Sequence, residues 1–112
     1  EVKLLESVQQ AWPVSIAAID AEQDLITLCC SGGEAVDLSG WYLYSDRGGE
    51  MQIIPEGTVL SANGELRIGS LSTEGEADIV WPETKVVHRK KTDVIRLYDS
   101  SGFLVSETDN GK

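Results

Sequence analysis

Several groups of side chains in this sequence have the right types for chemistry, and each lacks a requirement. His88 is the single histidine, set in the run His88-Arg89-Lys90-Lys91. Nucleophilic catalysis needs a serine or cysteine beside a base, and a third group to orient that base. No Gly-x-Ser-x-Gly elbow presents such a serine. Asp20, Glu22 and Asp24 alternate as a calcium loop begins, but the sixth position is Leu25 where glycine is required and the twelfth is Ser31 rather than glutamate. Polar residues at a hairpin tip account for that pattern. Cys29 and Cys30 are adjacent, so a strand sends them to opposite faces, which leaves one buried and one exposed thiol and no disulfide between them. With one histidine they cannot complete a tetrahedral zinc site. Ser31-Gly32-Gly33 lacks the lysine and following helix of a phosphate-binding loop. No spacing singles out a carboxylate pair for glycoside hydrolysis among the 19 acidic residues. The expectation is a protein that is not an enzyme, with no catalytic residue, metal or cofactor.

Binding remains. The net charge is −10, a field that repels phosphate backbones and anionic lipid and keeps the chain in solution. Against it, Arg89, Lys90 and Lys91 put three of the nine basic residues in one place. With His88 they would form a docking spot for an acidic partner or a phosphate backbone, or else a solvated loop paired with nearby acids. Trp12 and Trp81 each adjoin a proline at an element boundary. A partly exposed indole there would suit a peptide or carbohydrate surface, and packing over the ends of the fold is the alternative. These six residues, His88, Arg89, Lys90, Lys91, Trp12 and Trp81, are the candidate partner-binding set.

The elements that must position them are strands. The 112 residues make one domain by length, and no apolar run approaches the ~20 residues of a membrane span. The chain reads as a piece of a larger protein. Residues 1–13 read as a lead-in with a short helical turn ended by Pro13. From there the runs are short and rich in β-branched residues. VSIAAI (14–19) and LITLCC (25–30) read as a hairpin. Val36–Leu38, Gly40–Tyr44, Met51–Ile54 and Thr58–Leu60 follow, with Trp41 and Leu43 on one face and Tyr42 and Tyr44 on the other. Asn63-Gly64 is a hairpin signal leading into Glu65–Ile68. Residues 70–78 are a polar loop, Ile79–Trp81 a short strand, and 83–91 irregular. Asp93–Tyr98 and Phe103–Val105 close the series, with Ile95 and Leu97 inward. No helical period persists, so turn signals every ~8–12 residues predict a β-sandwich or small barrel.

VDLSGWYL (36–43) resembles the strand signature of the lamin-tail domain, an immunoglobulin-like family in which such a tryptophan enters the core. ID…DLITL (19–28), IPEGTVLSANGELRI (54–68) and TDVIRLYDSSGFLV (92–105) are similar to that family's other segments, in the same order. The resemblance covers roughly residues 14–106. It departs at Thr27, where the family often has glutamate, and at Cys29-Cys30, which replace its "x-Asn". Residues 70–91 match nothing specific, and no coiled-coil heptads flank the domain. The resemblance implies an immunoglobulin-like β-sandwich of about eight or nine short strands over 14–106, followed by a tail at 107–112. It also implies a prokaryotic-type accessory module of a larger, often exported protein, and an extracellular or envelope setting on family context alone. The expected partner is a protein or neighbouring domain rather than nucleic acid. The alternative is a structural module that self-assembles through a strand edge.

Overall fold

β1 (Val14–Asp20) and β2 (Leu25–Cys30) form the expected antiparallel hairpin, paired from Val14 opposite Cys30 to Asp20 opposite Leu25 with one register shift between Ile16 and Ala18. The computed structural model describes residues 12–71, 73, 76–82, 87, 88 and 90–112. Within these residues every regular element is a strand. The helical turn expected before Pro13 falls at positions that lie outside the described residues.

β2 pairs with β7 (Glu65–Gly69), and β7 runs parallel to the two-residue β8 (Ile79–Val80), giving the sheet order β1-β2-β7-β8. A second sheet has the order β10-β9-β4-β5, from β4 (Tyr42–Ser45), β5 (Glu50–Ile53), β9 (Val94–Tyr98) and β10 (Leu104–Asp109). A small ribbon joins β3 (Val36–Asp37) to β6 (Val59–Leu60).

The two four-stranded sheets share one core. Ile26, Leu28, Leu66 and Ile68 come from the first, Leu43, Ile95 and Leu97 from the second, and Trp41 lies among them. Alternation explains this, because β2, β4, β7 and β9 each bury every second side chain. The resulting burial contributes about 1.5–3 kcal/mol for each large apolar side chain. The sheets meet along one side as well, where a bulge between Ile16 and Ala18 accompanies a bond from the Ile16 N–H to Ser106 Oγ of β10 at 3.0 Å.

VDLSGW is a folding device. Asp37 accepts from the Ser39 hydroxyl at 2.6 Å and its N–H at 3.0 Å, and Ser39 Oγ in turn accepts from the Gly57 N–H at 2.8 Å. Gly40 has φ +79°, a conformation glycine takes without steric cost, and the next residue, Trp41, is buried at 2 % exposure.

Three expectations change. Asn63-Gly64 does turn the chain, with the Gly64 N–H bonded to Ser61 O, but no hairpin results. The strands on either side belong to different sheets, because β6 pairs with β3 and β7 with β2. The last strand continues to Asp109 rather than ending at Val105, because β9 pairs with it as far as Val94. The strands number ten among the described residues, three of them only two residues long.

Candidate functional site

Three buried carboxylates organise the loops, each beside a strand end. Asp24 precedes β2 with φ +57°, and it accepts from the Ser70 hydroxyl and from the Val87 N–H at 2.7 Å. Asp93 precedes β9 and accepts three donors, the Ser45 hydroxyl at 2.6 Å, the Arg47 N–H at 3.0 Å and the His88 N–H at 3.1 Å. Asp99 follows β9 and accepts the Trp12 indole N–H at 3.0 Å together with the N–H groups of Ser101 and Phe103. Burial pushes the Asp99 carboxyl up. The bonds from Trp12, Phe103, Ser101 and Gly102 outweigh it and hold the group below its ordinary value.

The alternating acids at 20–24 therefore have separate structural tasks. Asp20 Oδ1 caps the turn by accepting the Glu22 and Gln23 N–H groups, each at 3.1 Å. Glu22 reaches Lys112 Nζ at 3.3 Å, and Asp24 points inward. Among the described residues no group of three or more potential ligands is placed to hold a metal ion.

The sequence-derived candidates fall in different places. Trp81 is 5 % exposed and packs inward, so it presents no indole surface to a partner. Its indole N–H donates to Ile53 O at 3.2 Å and its backbone N–H to Gly69 O at 3.0 Å, so the residue spans from the first sheet to the edge of the second. Trp12 is half-buried and meets Trp41 edge-on, with ring centroids 5.1 Å apart. Arg89 lies outside the described residues, and Lys90 and Lys91 are exposed.

His88 is half-buried, and its Nδ1 accepts the N–H groups of Lys90 at 3.3 Å and Lys91 at 3.1 Å. Ser45, Asp93 and His88 thus meet, but not as a catalytic triad. Ser45 Oγ donates to the carboxylate, and His88 contributes its backbone N–H rather than its imidazole. That arrangement fixes loops and gives the serine no base.

A surface that the sequence reading did not single out lies on the outer face of β10-β9-β4-β5. Ile53 pairs with Tyr42, Tyr42 with Tyr98 and Tyr98 with Leu104, a row of four across four strands. The two tyrosine rings stack, with centroids 4.9 Å apart and planes 18° apart. Ile53 is 57 % exposed and Leu104 43 %. The next row is Met51, Tyr44, Arg96 and Glu107, with Met51 exposed. Arg96 binds Glu107 at 2.6 Å and Asp46 at 3.3 Å, and these bonds, Glu107 foremost, hold its guanidinium above its ordinary range. At Ile53 the face borders an open groove lined also by Ser39, Gly40, Ile54, Pro55 and Glu56.

The described residues form an all-β fold with buried carboxylate knots and an aromatic outer face. No model of a known protein family matches the chain, and no curated protein matches it.

Proposed function

We propose that this chain is a non-catalytic interaction module of the immunoglobulin-like, lamin-tail-like class, and that it docks a basic protein partner on the outer face of β10-β9-β4-β5. The observation that carries the docking role is the row Ile53–Tyr42–Tyr98–Leu104. Contiguous exposed apolar residues mark interaction sites on otherwise polar surfaces, and tyrosine is a residue type that such sites favour. Two features support the fold class. The orders β1-β2-β7 and β10-β9-β4-β5 follow the A-B-E and G-F-C-C′ orders of immunoglobulin domains, and the VDLSGWYL segment buries its tryptophan. The parallel β7–β8 pair and the β3–β6 ribbon depart from that pattern.

Net charge favours a basic partner over a second copy, because a chain at −10 repels itself. The strand edges also disfavour self-assembly. β5 has Trp81 on its Ile53 carbonyl, β8 is two residues long, and β1 is tied to Ser106. Short or covered edges resist strand addition.

The test is a photo-crosslinking side chain at position 53 or 104, with position 65 on the outer face of the first sheet as control. The expected result is one discrete adduct from 53 and 104 and none from 65. The purified partner should then bind at least about tenfold more weakly to Ile53→Asp, the loss of about one anchor residue. A monomer–dimer equilibrium abolished by Ile53→Asp would replace the hetero-partner reading, and equal adducts from all three positions would end it.

A further inference from the structure

Arg47 is far from the His88–Lys91 run in sequence, yet the Asp93 knot joins them. The Arg47 N–H and the His88 N–H share the Asp93 carboxylate, and Arg47 Nε donates to Thr92 O at 2.8 Å. Asn110, buried at 6 % exposure, holds the turn from beneath. Its Nδ2 donates to His88 O at 2.7 Å and Lys91 O at 2.9 Å, while its Oδ1 accepts the N–H groups of Asp93 and Lys112. The side chain thereby uses both donors and two acceptor sites. Three cations, Arg47, Lys90 and Lys91, therefore stand on one clamped platform. All three are exposed, and among the described residues none of them forms an ion pair, whereas Arg96 and Lys112 do.

We propose that this platform is a second docking surface, separate from the aromatic face, and that it takes an extended, carboxylate-rich segment of a partner protein. Charge complementarity selects an anion. The backbone narrows the choice further. The Lys90 and Lys91 N–H groups are already spent on His88 Nδ1, so these two amides are not free to cradle a compact phosphate. Among the described residues recognition falls to three side-chain tips, which suits several spaced carboxylates, with Arg47 able to take one through its two terminal nitrogens. A nucleic-acid duplex fits poorly, because its charge repeats about every 1.7 Å and would run beyond three cations onto a chain of net charge −10. The clamp lowers the ordering cost on binding.

The experiment titrates the isotope-labelled chain with a synthetic hexaglutamate peptide and, separately, with a short DNA duplex, following backbone amide shifts in about 20 mM salt, where screening is weak. The expected result is saturable shifts confined to the Arg47 and 88–92 amides with the peptide. Affinity should fall at least about threefold in Lys90→Glu and again in Lys91→Glu, the worth of one exposed ion pair each. It should stay unchanged in Arg67→Glu, which alters the net charge by the same amount as either lysine variant. Among the described residues neither lysine side chain holds a hydrogen bond or ion pair, so both variants should keep the wild-type melting temperature, which separates lost binding from lost folding. Absent or dispersed peptide shifts would overturn the proposal, as would equal losses in all three variants or tighter binding of the duplex. Ile53→Asp should leave the peptide titration unaltered, so failure here and failure of the aromatic-face reading remain distinguishable.

Discussion

The indole N–H of Trp12 reaches the carboxylate of Asp99 at 3.0 Å, although 87 positions separate the two in sequence. That bond joins the segment before β1 to the β9–β10 turn, and the same indole packs edge-on against Trp41. Its donors hold the Asp99 carboxyl below the ordinary value of 3.8 in spite of burial. A group with a depressed folded-state pKa stabilises the fold above its unfolded-state value and loses that contribution as pH falls through the folded one. Wild type should therefore lose stability faster than Asp99→Asn below about pH 4, near the unfolded-state value. At pH 7 the variant should be less stable by about 1–3 kcal/mol, the cost of leaving buried donors poorly matched. Urea midpoints from acid to neutral pH check both, and parallel pH profiles for the two proteins would remove Asp99 from the acid response.

Asp93 serves three donors at once, so Asp93→Ala should be far more damaging than Ser45→Ala. Each stranded buried donor costs about 1–3 kcal/mol, and the alanine strands the buried Ser45 hydroxyl and two part-buried amides, whereas Ser45→Ala leaves the carboxylate with two donors and strands only the part-buried Gly48 N–H. Chemical denaturation should rank the variants in that order. Amide exchange in Asp93→Ala should speed up at both Arg47 and His88, the two backbone donors on opposite sides of the knot.

Trp81 closes the open edge of β5 through Ile53 O. Trp81→Phe removes that donor and should cost about 0.5–1.5 kcal/mol. It should also make the chain associate more readily at high concentration, since an uncovered edge is a template for strand addition. Sedimentation velocity over a wide concentration range reads the second effect. A strictly monomeric variant would mean that β5 is protected by other means.

The two adjacent thiols should differ in reactivity. Cys30 is buried, and Cys29 is half-buried beside Ser15 Oγ at 3.3 Å. An aromatic disulfide reagent should modify Cys29 first in the native chain and Cys30 only at the rate of opening, since access limits the reaction. Mass spectrometry of the singly modified protein locates the label.

His88 Nδ1 accepts two backbone N–H groups, which requires the proton of the neutral ring to sit on Nε2. Long-range nitrogen–proton correlation at mildly alkaline pH should show that tautomer. His88→Ala should loosen the 88–91 turn without lowering global stability by more than about 1 kcal/mol, the typical worth of such bonds at a surface.

Local pattern alone was enough to read the class of element and the inward faces of several strands. Alternation is a local property, so Ile26 with Leu28, Trp41 with Leu43, and Ile95 with Leu97 were readable as core from their spacing. Adjacency across strands is not local. Tyr42 could be read as outward, but its stacking on Tyr98 and its place between Ile53 and Leu104 depend on β4 lying between β5 and β9. The same holds for Arg47, which reaches the basic turn only because Asp93 accepts donors from two loops. The burial of Trp81 and the strand partners on either side of Asn63-Gly64 were hidden for a related reason. A proline neighbour or a turn dipeptide fixes the local path of the chain, while burial and strand pairing are decided by what the rest of the chain brings alongside.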